Sequence, residues 1–210
     1  MRILVADDHA IVRSGLKRIF TLEFPGVAVG EATSVGELLE RAKEAPWDVV
    51  ILDIALGTQN GLDALPLLKA ARPRLPVIVL SMYGERQFIV RAFADGASAY
   101  LTKEQAADEE ILKAIRAVCA GRRYVAGAAA ETLAGHLAKD HGARPHEALS
   151  ARELEVFLLL AAAKSVSEIA ERLRLSVKTV STYRTRILEK TGLETTAEII
   201  QYAVRNGLVG

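Results

Sequence analysis

Cysteine is almost missing from this chain of 210 residues, where Cys119 is the only one. One thiol makes no internal disulfide and supplies no Cys cluster for zinc. Its neighbours Ile115, Ala117 and Val118 predict a buried thiol acting as a small apolar side chain. Long apolar runs are missing too. No stretch approaches the roughly 18 residues needed to cross a bilayer, and no basic-then-apolar segment precedes the first β-rich run, so a reducing cytoplasm and no membrane partner are expected. Charge of one sign is also lacking, with 27 Lys and Arg against 26 Asp and Glu. Taken as an average, that excludes a strongly electrostatic partner. What is present is apolar: 50% of the residues are hydrophobic and 25% charged. That composition excludes a disordered chain and allows one large or two small folded domains.

Five short apolar runs alternate with stretches of helical period. The runs are Ile3 to Ala6, Val27 to Gly30, Val49 to Leu52, Val77 to Leu80 and Ala99 to Leu101. Helices are expected near Ile11 to Phe20, Val35 to Ala45, Gly61 to Ala71, Gln87 to Ala94 and Glu109 to Ala120. Continuous runs such as Val49, Val50, Ile51, Leu52 suit strands covered by helices on both faces, so residues 1–120 read as a (βα)5 doubly wound parallel sheet. Residues 121–147 turn small and polar and read as a linker, with room for a helical turn or two at Glu131 to Ala138. From Ser150 the pattern is purely helical. Ser150 and Glu153 form a capping-box pattern, and four helices fit at about 151–163, 166–173, 177–190 and 195–206. Gly192 and Gly207 fall where helix ends favour a left-handed residue. Residues 148–210 thus read as a small all-α four-helix domain.

In an open parallel sheet, ligands bind beyond the carboxyl ends of the strands. There this sequence is polar: Asp7 and Asp8 after the first strand, Asp53 after the third, Ser81 after the fourth and Lys103 after the fifth. Three converging carboxylates repel one another unless a cation neutralises them, and an all-oxygen set suits a hard ion such as Mg²⁺. Lys103 and Ser81 suit phosphoryl oxygens, and a carboxylate can accept a phosphoryl group. Asp53, on the most apolar strand, is the candidate nucleophile, and the adjacent loop from Ala55 to Thr58 offers a backbone carbonyl to the metal. The plainer alternative, that such Asp residues only cap helices or open turns, fits any one of them but not the ordered set.

These residues resemble the receiver domain of two-component response regulators, a flavodoxin-like fold, over about residues 1–120. The motifs are VADDH with Asp7 and Asp8, ILDIALGTQNGLD with Asp53 and Gly61, VLSM with Ser81, and GASAYLTK with Tyr100 and Lys103. The resemblance implies that a sensor histidine kinase phosphorylates Asp53. It implies Mg²⁺ held by Asp8, Asp53 and the Ala55 carbonyl with Asp7 nearby, and Ser81 and Lys103 gripping the phosphoryl group. Ser81 and Tyr100 would form the switch, with Tyr100 turning inward. One departure is the pair Leu56 and Gly57, where the family usually has Met-Pro, which predicts a looser loop. A phosphatase-type enzyme working through an aspartyl phosphate is the competing use of such an edge, and the second domain argues against it.

Resolved by window, residues 1–125 hold 16 basic and 16 acidic side chains and residues 126–210 hold 11 and 10. Between Arg172 and Lys190, however, lie Arg172, Arg174, Lys178, Arg184, Arg186 and Lys190 against Glu189 alone. This basic stripe sits on a helix-turn-helix pattern. Ile169, Ala170 and Leu173 give the first helix an apolar face. Ser176 is a good N-cap for the second, on which Val177, Val180 and Ile187 are expected to bury. The opposite side presents Lys178, Ser181, Thr182, Thr185 and Glu189, as a recognition helix in a major groove requires. A solvated basic face is the ordinary alternative.

Residues 149–206 resemble the LuxR-type helix-turn-helix of response regulators in the NarL and FixJ subfamily, through LSARELEVFLLLAA, SEIAERLRLSVKTVSTYRTRILEKTGL and TAEIIQYA. The resemblance implies base contacts from Ser181, Thr182 and Thr185, with Lys178, Thr179, Tyr183, Arg184 and Arg186 nearer the phosphates of promoter DNA. Departures are Ala163 where Gly is favoured, Val166 and Ser167 for Asn and Lys, and Thr191 and Thr196 for Leu and Arg. Ile199, Ile200 and Ala203 are expected to close the bundle or to pair with a second copy. The whole reads as a cytoplasmic, non-enzymatic transcriptional regulator that forms a homodimer and binds DNA when Asp53 is phosphorylated. A regulator whose first domain is a fixed dimerisation module, independent of phosphorylation, is the alternative.

Overall fold

The computed structural model describes residues 1–104, 106–127, 130 and 144–209. The chain divides into two compact units, Met1–Lys139 and Asp140–Gly210. In the first, the strands β1 (Arg2–Ala6), β2 (Ala28–Ala32), β3 (Val49–Asp53), β6 (Val77–Ser81), β7 (Ala99–Thr102) and β8 (Tyr124–Val125) form one sheet in the order β2-β1-β3-β6-β7-β8. Every neighbouring pair in it is parallel. The helices are α1 (Ala10–Glu23), α2 (Val35–Glu44), α3 (Gly61–Ala71), α4 (Arg86–Ala94) and α5 (Asp108–Cys119).

Side-chain alternation along the strands explains why both faces need helices. Ile3, Val5, Ile51, Ile78, Leu80 and Leu101 pack with Leu16 and Phe20 of α1 and with Ile111, Ile115 and Val118 of α5. The intervening Leu4, Val50, Leu52 and Val79 are equally buried and face the other way, where α2 packs on β1 and β2 and α4 on β7. Truncating one of these buried aliphatics to Ala costs about 2–5 kcal/mol. The strand order reverses at β1, between β2 and β3, so the crevice of a doubly wound sheet opens at the carboxyl ends of β1 and β3.

Three features differ from the sequence expectation. A sixth strand, β8, lies in the stretch read as linker: Tyr124 N–H donates to the Ser98 carbonyl at 3.0 Å, and two residues are too short to register as a strand by pattern. The loop after Asp53 is not loose but a two-stranded hairpin of β4 (Ala55–Leu56) and β5 (Gln59–Asn60). Gly57 makes its turn at φ +64, a conformation costly for any residue with a Cβ. Cys119 is exposed rather than buried, because it is the last residue of α5 and lies at the rim of the core that Ile115 and Val118 fill. The helical turn expected at Glu131 to Ala138 lies outside the described residues.

The second unit holds a 3-10 turn (Pro145–Ala148) and the helices α6 (Ala151–Ala161), α7 (Val166–Arg172), α8 (Val177–Thr191) and α9 (Thr196–Arg205). The Ser150 and Glu153 capping box forms as expected, and Ser165 with Glu168 forms another. Ser176 Oγ accepts from Thr179 N–H at 3.0 Å. Gly192 and Gly207 take φ +69 and +63 after their helices. Val180 and Ile187 are fully buried, whereas Val177 is 52% exposed, since the first residue of a helix projects beyond the neighbours that cover the next turns. Ile199 and Ala203, four residues apart on α9, are fully buried on the helix that packs against α6. That corrects the expectation that they serve a dimer surface: they close this unit's own core. Ile200 is half-buried and Val204 is 62% exposed.

Candidate functional site

The carboxyl ends of β1, β3, β6 and β7 bring the expected polar residues together. Lys103 Nζ lies 2.8 Å from Asp7 Oδ2 and 2.6 Å from Asp53 Oδ2. Ligand atoms of Asp7, Asp8, His9 and Asp53 all lie within 4.8 Å of one another. Asp7 also fills the plainer role, because its Oδ1 accepts the His9 backbone N–H at 2.7 Å at the entrance to α1. Arg13 of α1 donates to the Asp7 carbonyl at 2.8 Å and to Glu31 Oε2 at 3.0 Å, fixing that entrance against β2. Ala55 is drawn in by its N–H, which donates to Asp53 Oδ1 at 3.2 Å.

Electrostatics follow from burial. Asp53 is only 3% exposed. Its carboxyl is pushed up to about 6, by burial above all and by the Asp7 charge, against the opposing pull of Lys103. Burial works against the Lys103 ammonium, yet Asp53 and Asp7 outweigh it and hold its pKa above the usual lysine value. A buried carboxylate that one ammonium only partly compensates, beside two more carboxylates, is a site that a hard cation relieves. The donor set of three carboxylates fits such an ion.

Sequence reasoning missed His9 and Tyr83 and named Gly61 without its reason. His9 stands with Nδ1 2.7 Å from Asp8 Oδ1, and its place directly after the Asp pair was the available signal. Gly61 starts α3 so close to Asp53 that an added Cβ would sit 2.0 Å from the Asp53 carbonyl oxygen, so only glycine lets that helix abut the strand end. Tyr83 joins the two switch candidates: its N–H donates to Ser81 Oγ at 3.0 Å and its carbonyl accepts from the Tyr100 hydroxyl at 2.5 Å. No sequence pattern marks a backbone group. Ser81 and Tyr100 are fully buried. Burial pushes the Tyr100 phenol well above its ordinary value, with the Ser81 hydroxyl beside it.

In the second unit, Lys178, Ser181, Thr182, Thr185 and Arg186 are exposed on α8, and Thr179, Tyr183 and Arg184 are half-buried. The basic stripe is less uniform than its count. Lys190 Nζ pairs with buried Glu153 at 2.6 Å, and Arg184 Nε donates to Thr196 Oγ1 at 2.9 Å. Thr182 and Thr185 hydroxyls donate to the carbonyls of Lys178 at 3.0 Å and Ser181 at 3.2 Å. Each keeps an acceptor oxygen facing outward. The outward charges of the stripe are Lys178 and Arg186 on α8 with Arg172 and Arg174 before it.

Comparison with known proteins matches residues 3–116 to the response regulator receiver domain and residues 147–203 to the luxR family of bacterial regulatory proteins. Response regulator GacA of Pseudomonas aeruginosa is 37% identical over 212 residues, covering 100% of this chain and 98% of that protein. Response regulator UvrY of Escherichia coli is 32% identical over 210 residues, covering 99% and 95%. Among solved structures, RcsB of Salmonella enterica serovar Typhimurium, bound to a promoter with the phosphomimetic BeF3⁻, has a TM-score of 0.60 at 26% identity over 96% of this chain and 97% of its own. A LuxR-family response regulator from Aurantimonas has a TM-score of 0.61 at 32% identity, covering 66% and 98%.

Proposed function

Because this chain belongs to the response regulators that join a receiver domain to a LuxR-family DNA-binding domain, we propose that a sensor histidine kinase phosphorylates Asp53 and that the phosphorylated chain dimerises on promoter DNA. The observation that carries this reading is the Lys103 ammonium held at 2.8 and 2.6 Å by Asp7 and Asp53. A buried carboxylate, a cation and further carboxylates around one point support Asp53 as the nucleophile and that point as the seat of the phosphoryl group.

Asp7, Asp8 and Asp53 would hold Mg²⁺, with the Ala55 carbonyl as a further oxygen. When bound, the ion would supply the charge neutralisation that phosphoryl transfer to a carboxylate needs. The chain does the rest by positioning. An Asp53 carboxylate oxygen forms the bond to phosphorus as the phosphohistidine nitrogen leaves, and Lys103 turns from the free carboxylate toward the new phosphoryl oxygens. Ser81 Oγ accepts from Tyr83 N–H and its side chain is hydrogen-bonded to Tyr100, so donating its proton to the phosphoryl group means giving up Tyr100. That donation draws Ser81 away from Tyr100 and biases the segment around Tyr83, a population shift driven by the added charge.

On DNA, Ser181, Thr182 and Thr185 read base edges while Lys178, Thr179, Tyr183, Arg184 and Arg186 hold phosphates. The protein acts in the cytoplasm, where its DNA is, and among the described residues no helix is long and apolar enough to cross a membrane. It turns over no external substrate, assisting only its own phosphorylation and dephosphorylation. Exposure to acetyl phosphate or a cognate kinase should leave one acid-stable, base-labile phosphoryl group on wild type and none on Asp53→Ala. Genome-wide mapping of bound sites with and without phosphorylation then reads the promoter response. Multiple turnovers of phosphomonoesters would instead establish an enzyme.

A further inference from the structure

The root of the linker carries a basic surface that the mechanism above leaves unused. Helix α5 ends in a Schellman arrangement: Gly121 at φ +75 donates its N–H to the Val118 carbonyl at 3.0 Å, and Arg122 N–H donates to the Ala117 carbonyl at 3.0 Å. Two residues later Tyr124 N–H bonds Ser98 and β8 begins. Arg122 and Arg123 therefore occupy a short bridge pinned at both ends, with both side chains exposed. With Lys113, Arg116 and Tyr124 they line a shallow hollow of about 350 Å³.

The positive charge there is not cancelled. Lys113 is shared with Glu109 and Glu110, each at 3.7 Å, and Arg116 is paired with Glu23. Among the described residues no carboxylate pairs with Arg122 or Arg123. Lys69 of α3, whose pKa is lowered by burial and then by the Arg123 charge, is itself held by the Leu75 carbonyl at 2.7 Å.

We propose that Arg122 and Arg123 form a second phosphate-contacting surface, on the receiver itself, that grips the DNA backbone once the helix-turn-helix unit has bound. This rests on the DNA-binding reading above and adds a partner surface to the receiver. Guanidinium planes suit phosphodiester oxygens. The 19 residues between Val125 and Pro145 span at most about 70 Å. Engagement of α8 in a groove therefore confines the two arginines near the same duplex, where tethering raises their effective concentration to about the millimolar range. Contacts made this way add affinity at every sequence and specificity at none.

The test measures affinity of the full chain for a random-sequence duplex across a salt series. Arg122→Ala with Arg123→Ala is compared with wild type and with Arg41→Ala plus Lys43→Ala, a charge-matched control on α2 near the opposite edge of the sheet. The first pair should bind about three- to tenfold more weakly near physiological salt, with a log–log salt slope shallower by about one to two, and the control should match wild type. Arg122→Lys with Arg123→Lys should keep the slope. Should the Ala pair fail to take up phosphate at Asp53, and so prove misfolded, Arg122→Gln with Arg123→Gln takes its place. An unchanged slope in a folded variant overturns this surface while leaving the DNA reading intact, and so does a loss confined to binding of phosphatidylglycerol vesicles. A wild type that binds no duplex at all overturns both.

Discussion

The Tyr100 hydroxyl donates to the Tyr83 carbonyl at 2.5 Å, and the amide of the same Tyr83 donates to Ser81 Oγ at 3.0 Å. One backbone unit thus joins the residue that would meet the phosphoryl group to the aromatic that would report it. Tyr100→Phe keeps the ring in its buried place and removes the donor. Phosphoryl uptake at Asp53 should persist, the receiver should lose about 1 kcal/mol of stability, and the gain in DNA affinity on phosphorylation should fall. Full retention of that gain would remove Tyr83 from the switch.

Asp53 yields a prediction with a definite sign. Its carboxyl is raised from 3.8 to about 6, chiefly by burial, so the folded receiver favours the protonated form. That contribution is complete below about pH 3.8 and is lost as pH rises through about 6. Without divalent ions, Asp53→Asn should therefore stabilise the receiver at pH 7.5, by up to about 3 kcal/mol, and by less as the pH falls below 6. Urea titrations of the receiver transition at both pH values check this, and an equal gain at low pH would contradict it.

Two helix ends in the DNA-binding unit are closed by residues with a Cβ. Ala163 has φ 59 and Arg174 has φ 53, and in both turns the next amide bonds back in the Schellman manner, Lys164 to Leu159 and Leu175 to Ala170. Ala163→Gly and Arg174→Gly should each raise the stability of this unit by about 1 kcal/mol, read as a higher thermal midpoint. Arg174→Gly should also weaken DNA binding, whereas Ala163→Gly should not.

The basic residues of α8 should separate in a salt series. Arg186 is exposed, so Arg186→Ala should weaken binding at all sequences and reduce the salt slope by about one. Lys190 is already paired with Glu153 at 2.6 Å, so Lys190→Ala should lower stability and leave the slope nearly unchanged. Ser181→Ala or Thr185→Ala should alter sequence preference instead.

Much of this was legible in the chain itself. Apolar runs ending in Asp7, Asp53, Ser81 and Lys103 placed a polar site at one sheet edge, because parallel strands covered on both faces leave their periodicity and their last residue in plain view. Ser150, Glu153, Ser176 and Gly192 marked helix ends for the same local reason, since capping needs only residues a few positions apart. The family resemblance marked Ala163 as a position where glycine is favoured, and its φ of 59 gives the reason.

Long-range relations were not legible. Spacing cannot say that Ile199 and Ala203 close a core rather than a dimer, since one apolar stripe serves either. Nor can it say that Lys190 answers Glu153, that Arg184 leans on Thr196, or that β8 adds a strand where composition reads as linker. The sequence determined which chemistry is present and where each helix and main strand runs, through local periodicity and capping. Only the tertiary structure decided which charges remain uncompensated and which carbonyl Tyr100 finds, because those depend on which distant segments the packed core brings within a few ångströms.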